Sequence, residues 1–123
     1  AGNSVKKKGV QSESMFEFID IYPTMAELMH LKAPDHLEGK SFASVVANGE
    51  LPFKDQVYAV TKRGDKMGRM VKNKAWRYIE WDYGKNGAEL YDQVEDPNEF
   101  YNLAQNKEYA KVVIEMKGLL AKK

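Results

Sequence analysis

At 123 residues and 14.1 kDa the chain has room for one ordinary domain, and its 43% hydrophobic and 30% charged residues exclude a largely disordered chain. A balance of 19 Lys and Arg against 18 Asp and Glu leaves a net charge of +1, so no excess field favours nucleic acid or an anionic membrane. No apolar run approaches the roughly 20 residues of a membrane helix, and zero Cys removes disulfides, thiolate chemistry and Cys-ligated metal.

Residues 1–14, with a Lys6-Lys7-Lys8 run, read as a solvated lead-in. Ser14-Met15-Phe16-Glu17 has the form of a capping box. It predicts a short helix to about Tyr22 and a second that takes Pro23 into its own first turn, where proline is tolerated. Pro34 disfavours helical geometry just before it, so this second helix should stop by Leu31 or Lys32. Ser41 to Ala47 predicts a further short helix, ended by Asn48-Gly49.

From Leu51 the period changes. Val57-Tyr58-Ala59-Val60-Thr61, Arg69-Met70-Val71-Lys72, Trp76 to Trp81 and Glu89-Leu90-Tyr91 read as strands. Gly64-Asp65 supplies turn residues after the first strand, Asn73-Lys74 and Asn86-Gly87 are the hairpin signals between the others, and Asp96-Pro97 closes the meander. Tyr109, Val112, Val113, Met116, Leu119 and Leu120 fall on one face of a terminal helix, which must dock on the sheet. The expected fold is α+β: an antiparallel sheet of about four strands against a C-terminal amphipathic helix, preceded by N-terminal helices. The chain divides into residues 1–14, a helical segment 15–50 and the meander with its helix at 51–123.

Few residues offer chemistry. His30 and His36 flank Pro34 without metal-ligand spacing. Asp92, Glu95, Asp96 and Glu99 raise a calcium loop, but Pro97 stands where the EF-hand turn needs Gly, which leaves Asp92 and Asp96 as loop caps. No Ser lies in a nucleophile elbow, and Gly64, Gly68 and Gly84 form no phosphate cradle. Tyr58, Trp76, Tyr78 and Trp81 among Lys62, Arg63, Lys66, Arg69 and Lys72 suggest a stacking sheet for single-stranded nucleic acid. Strand alternation and the neutral charge favour one aromatic face as core beneath the helix instead.

Four stretches in order resemble the C-terminal part of the sulfatase family, in its iduronate-sulfatase-like branch. They are Asp20 to Leu28 with Pro23-Thr24; Leu37-Glu38-Gly39-Lys40-Ser41-Phe42; Gly68 to Lys72 with Trp76 to Trp81; and Glu89-Leu90-Tyr91-Asp92 followed by Asp96-Pro97, Glu99 and Asn102-Leu103. The resemblance implies a parent that hydrolyses sulfate esters of a carbohydrate of the glycosaminoglycan type. A formylglycine nucleophile and calcium are implied for that parent, neither carried here, since the chain has no Cys, no Ser-x-Pro-x-Arg and none of the family's Asp-Asp or Asp-Asn calcium ligands. The expectation is an inactive C-terminal fragment whose first partner is a missing N-terminal catalytic domain, with residues 15–50 belonging to that domain's edge and 51–123 forming the sulfatase C-terminal subdomain. A periplasmic or secreted home is implied for the parent.

The segment Arg63 to Arg69 reads as a loop between the first two strands, and Arg63, Lys66 and Arg69 are the candidate rim for a sulfated or carboxylated sugar. Exposed apolar residues between Phe16 and Leu31 predict self-association of the fragment. The alternative is a stand-alone binding module for an anionic polymer, built on the same sheet and basic loop.

Overall fold

The computed structural model describes residues 5–49 and 53–123, and the chain forms two compact units, Ala1–Asp55 and Gln56–Lys123. The boundary expected between residues 50 and 51 lies outside the described residues.

In the first unit a single 3-10 turn, Phe18–Asp20, leads into helix α1, Ile21–Leu28. Pro23 lies in the first turn of α1, where a backbone N–H would have no helical acceptor. The helix begins later than the sequence predicts. The reciprocal cap is built from Glu17 and Asp20 rather than from Ser14 and Glu17, and the Glu17 amide donates to Asp20 Oδ2 at 2.9 Å. Asp20 wins because its carboxylate has more to hold. Oδ1 accepts the Lys40 amide at 2.9 Å and Oδ2 accepts Lys54 Nζ at 2.7 Å. Burial pushes the Asp20 carboxyl up, but Lys54 and the two amides outweigh it and hold the group below the usual carboxylate range.

Beside it, Thr24 Oγ1 donates to the Asp20 carbonyl at 2.6 Å and accepts the Phe42 amide at 3.0 Å. Gly39 lets the chain pass: a Cβ there would stand 2.0 Å from the Ile19 carbonyl oxygen. The rings of Phe16, Phe42 and Phe53 close this corner, with centroids 4.1–6.0 Å apart. Helix α1 stops at Leu28, ahead of the expected Leu31 or Lys32. His30 takes a left-handed conformation, and the Leu31 and His30 amides bond back to the Ala26 and Glu27 carbonyls, a closure that acts before Pro34 can. Helix α2, Ala43–Asn48, ends on Gly49 with φ +87°, as Asn48-Gly49 predicts.

The second unit is a meander of β1 (Gln56–Arg63), β2 (Lys66–Asn73), β3 (Trp76–Trp81) and β4 (Ala88–Asp92), paired antiparallel in that order. A 3-10 turn, Lys107–Tyr109, precedes helix α3, Ala110–Leu120. Alternation selects Val71, Tyr78 and Leu90 for one face, where they are buried with Met116 and Leu120 of α3, and Tyr58, Trp76, Tyr109 and Val113 pack around them. The Trp76 and Tyr109 rings meet edge-on at 5.7 Å. The α+β expectation holds, and the aromatic face toward the helix is core.

Two connections differ in length from the sequence reading. The first turn falls at Gly64-Asp65, where the sequence places it, but it is only two residues long: Lys66 already pairs with Arg63, and the rest of the expected loop to Arg69 is strand. Asn86-Gly87 is not a two-residue hairpin turn. Residues 82–87 make a longer loop in which Asp82, Tyr83, Gly84 and Gly87 take positive φ and Asn86 does not. After β4 the chain is strapped to the sheet edge. Asn102 Oδ1 accepts the Leu90 amide at 3.0 Å, and the Leu103 amide bonds the Leu90 carbonyl at 2.8 Å.

Candidate functional site

The β1–β2 hairpin places Arg63 directly opposite Lys66 at the end of the sheet, on the face turned away from α3. Like charges facing each other across two strands repel, and among the described residues neither side chain joins an ion pair. On the same face Trp81 stands opposite Gly68. A Cβ on residue 68 would approach Trp81 Cζ3 to 2.9 Å, so the glycine admits the indole onto the sheet. Arg63, Lys66, Trp81, Asn86 and Glu89 together line a cavity of ≈ 450 Å³.

One wall of this cavity is fixed by hydrogen bonds. Trp81 Nε1 donates to Glu89 Oε1 at 2.9 Å, and the Tyr91 hydroxyl donates to Glu89 Oε2 at 2.9 Å. Burial, then the bond and charge of Glu89, push the Tyr91 hydroxyl up, so it stays protonated as a donor at neutral pH. Arg77 lies over the Tyr91 ring at 5.5 Å and pairs with Glu99. The pocket therefore presents two exposed cations on one side and an oriented carboxylate beside an indole on the other.

The sequence candidates divide. Arg63 and Lys66 meet in this pocket, whereas Arg69 points to the opposite face. There it pairs with the buried Glu80 at 2.6 Å and lies 4.4 Å from the centre of the Tyr83 ring. Burial and then the Glu80 charge push the neighbouring Tyr78 hydroxyl up. Asn86 and Glu89 were missed as site residues. The available signal was register: once Gly68 and Trp81 are paired, Glu89 on the next strand falls on the Trp81 face.

The acidic residues after β4 serve the backbone. Asp92 Oδ1 accepts the Val94 and Glu95 amides at 2.8 and 2.9 Å, and Asp96 Oδ2 accepts the Tyr101 amide at 2.8 Å. Among the described residues no group of three His, Cys, Asp or Glu could hold a metal ion. No helix of the described residues is long and apolar enough to cross a membrane.

A profile described as N-sulphoglucosamine sulphohydrolase, C-terminal, matches residues 2–123. The chain belongs to this sulphohydrolase C-terminal family. A sulfatase of Formosa agariphila is 36% identical over 94% of this chain and 22% of its own length. A Delta 4,5-hexuronate-2-O-sulfatase of Bacteroides thetaiotaomicron is 33% identical over 98% of the chain and 26% of its own. The fold is shared with a protein whose structure was solved in complex with its substrate D-glucosamine-2-N,6-O-disulfate, with a TM-score of 0.72 at 25% identity, over 84% of this chain and 23% of that one. The chain thus spans about a quarter of the relatives it matches, 22–26% of their length. The match does not single out an iduronate-sulfatase-like branch.

The residues that carry the family resemblance have structural duties in the sulphohydrolase tail. Asp20 and Thr24 bind the Lys40 and Phe42 amides, Gly39 clears Ile19, and Asn102 holds the outer edge of β4. These motifs staple chain segments together. Trp81 and Glu89 among the resemblance residues also line the cavity.

Proposed function

We propose that this chain is the C-terminal region of a sulfatase, a sulfuric ester hydrolase whose substrate is a sulfated carbohydrate of the glycosaminoglycan type. The observation that carries this reading is the family match over residues 2–123, with relatives named for sulfate-ester hydrolysis. On this reading residues 1–14 are a lead-in, 15–50 line the edge of a preceding catalytic domain and 51–123 form the C-terminal subdomain. The formylglycine and calcium of the parent lie in that catalytic domain, and the 123-residue chain alone is inactive.

Support for the edge assignment comes from α1 and its flanks. Phe18, Ile19, Ile21, Tyr22, Met25, Met29 and Leu31 are exposed, Phe18 at 91%. So many exposed apolar side chains within fourteen residues are costly in water unless something covers them. The catalytic domain is the cover we assign, and without it the same face drives self-association. Arg63 and Lys66 form the substrate rim, with Arg69 behind them as a structural cation.

The test is sulfate release by the complete reading frame that contains this sequence. Hydrolysis of a sulfated disaccharide, with phosphate esters of the same sugar turned over at least about a hundredfold more slowly, is the expected result; about 2.7 kcal/mol of transition-state discrimination corresponds to that ratio. Preference for the phosphate ester would overturn the reading.

A further inference from the structure

We propose that the cavity on the sheet face away from α3 is a saccharide subsite. Arg63 and Lys66 take an anionic substituent, the Trp81 indole takes the apolar face of the sugar ring, and Glu89 accepts from a hydroxyl or amino group. The identity of the ligand rests on the sulfatase reading; the site itself rests on geometry.

Three observations converge on it. The volume of ≈ 450 Å³ falls in the size class of small-molecule sites, about 300–1,000 Å³. Arg63 and Lys66 face each other across the hairpin with no acid paired to either among the described residues, although Asp65 lies in the turn between them. An anion placed between them relieves that repulsion and gains charge-assisted hydrogen bonds, bidentate from the guanidinium. Finally, Glu89 is held by Trp81 Nε1 and by the Tyr91 hydroxyl, one donor to each oxygen. Two donors fix the carboxylate in place and leave each oxygen a lone pair for a ligand. A sheet face that needed only solubility would not immobilise its acid against an indole and a phenol.

The mixed charge of the pocket sets its preference. Free sulfate satisfies the two cations and leaves Glu89 and Trp81 unused. An unsulfated sugar does the reverse. A sulfated amino sugar engages both walls, so its affinity exceeds that of either half.

The experiment titrates the 123-residue chain with D-glucosamine-2-N,6-O-disulfate, unsulfated glucosamine and inorganic sulfate, following the indole Nε1–H resonance of Trp81 by NMR. The disulfate should shift that resonance saturably in the millimolar range or below, about tenfold tighter than either other probe. Glu89→Gln should weaken the disulfate several-fold and leave inorganic sulfate unchanged. Arg63→Ala with Lys66→Ala, both exposed positions, should weaken disulfate and sulfate by about tenfold or more. No movement of the Trp81 resonance with any probe up to about 10 mM overturns the subsite, as does equal affinity for sulfate and disulfate. Loss of sulfatase activity in the complete protein, with this binding intact, would instead count against the proposed function.

Discussion

Arg69 and Arg63 lie on neighbouring strands of one sheet and have nothing in common beyond their chemistry. Arg69 faces α3, where Glu80 is 1% exposed and the Arg69–Glu80 pair is roofed by the Tyr83 ring. Arg63 faces the other way, exposed, with Lys66 rather than an acid opposite. The carboxylates divide in the same manner: Glu80 neutralises a cation inside, while Glu89, one strand over, is held by neutral donors and turned toward a cavity. Strand parity decides which charges are structural and which remain for a ligand. A substitution on the α3 face should therefore register in stability, and one on the other face in binding.

The largest effect should come from Arg69→Ala. It strands the Glu80 carboxylate in a site that water hardly reaches, and breaking a buried pair from one side costs about 3–5 kcal/mol. Arg69 is itself 22% exposed, so the lower end applies. Urea unfolding should show a lower midpoint, and Arg69→Met combined with Glu80→Gln should recover most of the loss, because both charges then leave together. A midpoint unchanged by Arg69→Ala would erase the contrast between the faces.

Much of this division could be anticipated and some could not. The α3 stripe, the aromatic core face and the four strands follow from apolar period, and Val112, Val113, Met116, Leu119 and Leu120 all pack where the period sends them. Arg69 is read both as the first residue of the strand Arg69–Lys72 and as the last of the loop from Arg63, because Lys66-Met67-Gly68 lacks the β-branched residues that mark a strand and its glycine reads as a turn. Grouped with that loop, Arg69 loses the parity it shares with Val71, and three cations within seven residues look equivalent. Similarly, Tyr83 at positive φ is invisible to propensity, since tyrosine is not a residue that usually adopts it. The staple of Asp20, Thr24 and Gly39 joins segments some twenty residues apart and appears only in three dimensions.

Gly68→Ala tests the seat of Trp81. Nothing about its φ forbids alanine, and strand propensity alone would favour the change. The added methyl meets Trp81 Cζ3 at 2.9 Å and Thr61 Cγ2 at 3.0 Å, so the indole must move. Overpacking of this kind costs about 1–3 kcal/mol. The sharper readout is the Trp81 Nε1–H resonance, which should lose the downfield shift conferred by Glu89. An unmoved resonance would mean that the glycine does not position the ring.

Tyr78 and Tyr91 compare the faces by pH. Both hydroxyls are pushed up, first by burial and then by a neighbouring glutamate, Glu80 for one and Glu89 for the other. A raised acid favours the fold fully below the ordinary tyrosine value of about 10, and that contribution is lost as pH rises through the folded values. Phenolate absorbance should show Tyr78 and Tyr91 ionising above the ordinary tyrosine value, with stability falling over the same range. Tyr91→Phe should remove one late step and cost about 0.5–1.5 kcal/mol, the usual worth of one hydrogen bond. If Tyr91 ionises with the exposed tyrosines, Glu89 is not held from that side.

The smallest effect on stability is expected where the effect on binding is largest. Replacing Arg63 and Lys66 together by Ala removes two exposed cations that repel each other and support no ion pair among the described residues. Loss of the repulsion offsets loss of the packed side-chain stems, and exposed substitutions of this kind fall within about 0.5 kcal/mol of zero. A change near zero, together with lost affinity for the sulfated sugar, separates these two cations from Arg69 on function alone. A loss of about 2 kcal/mol or more would instead place them with Arg69 as part of what holds the hairpin together.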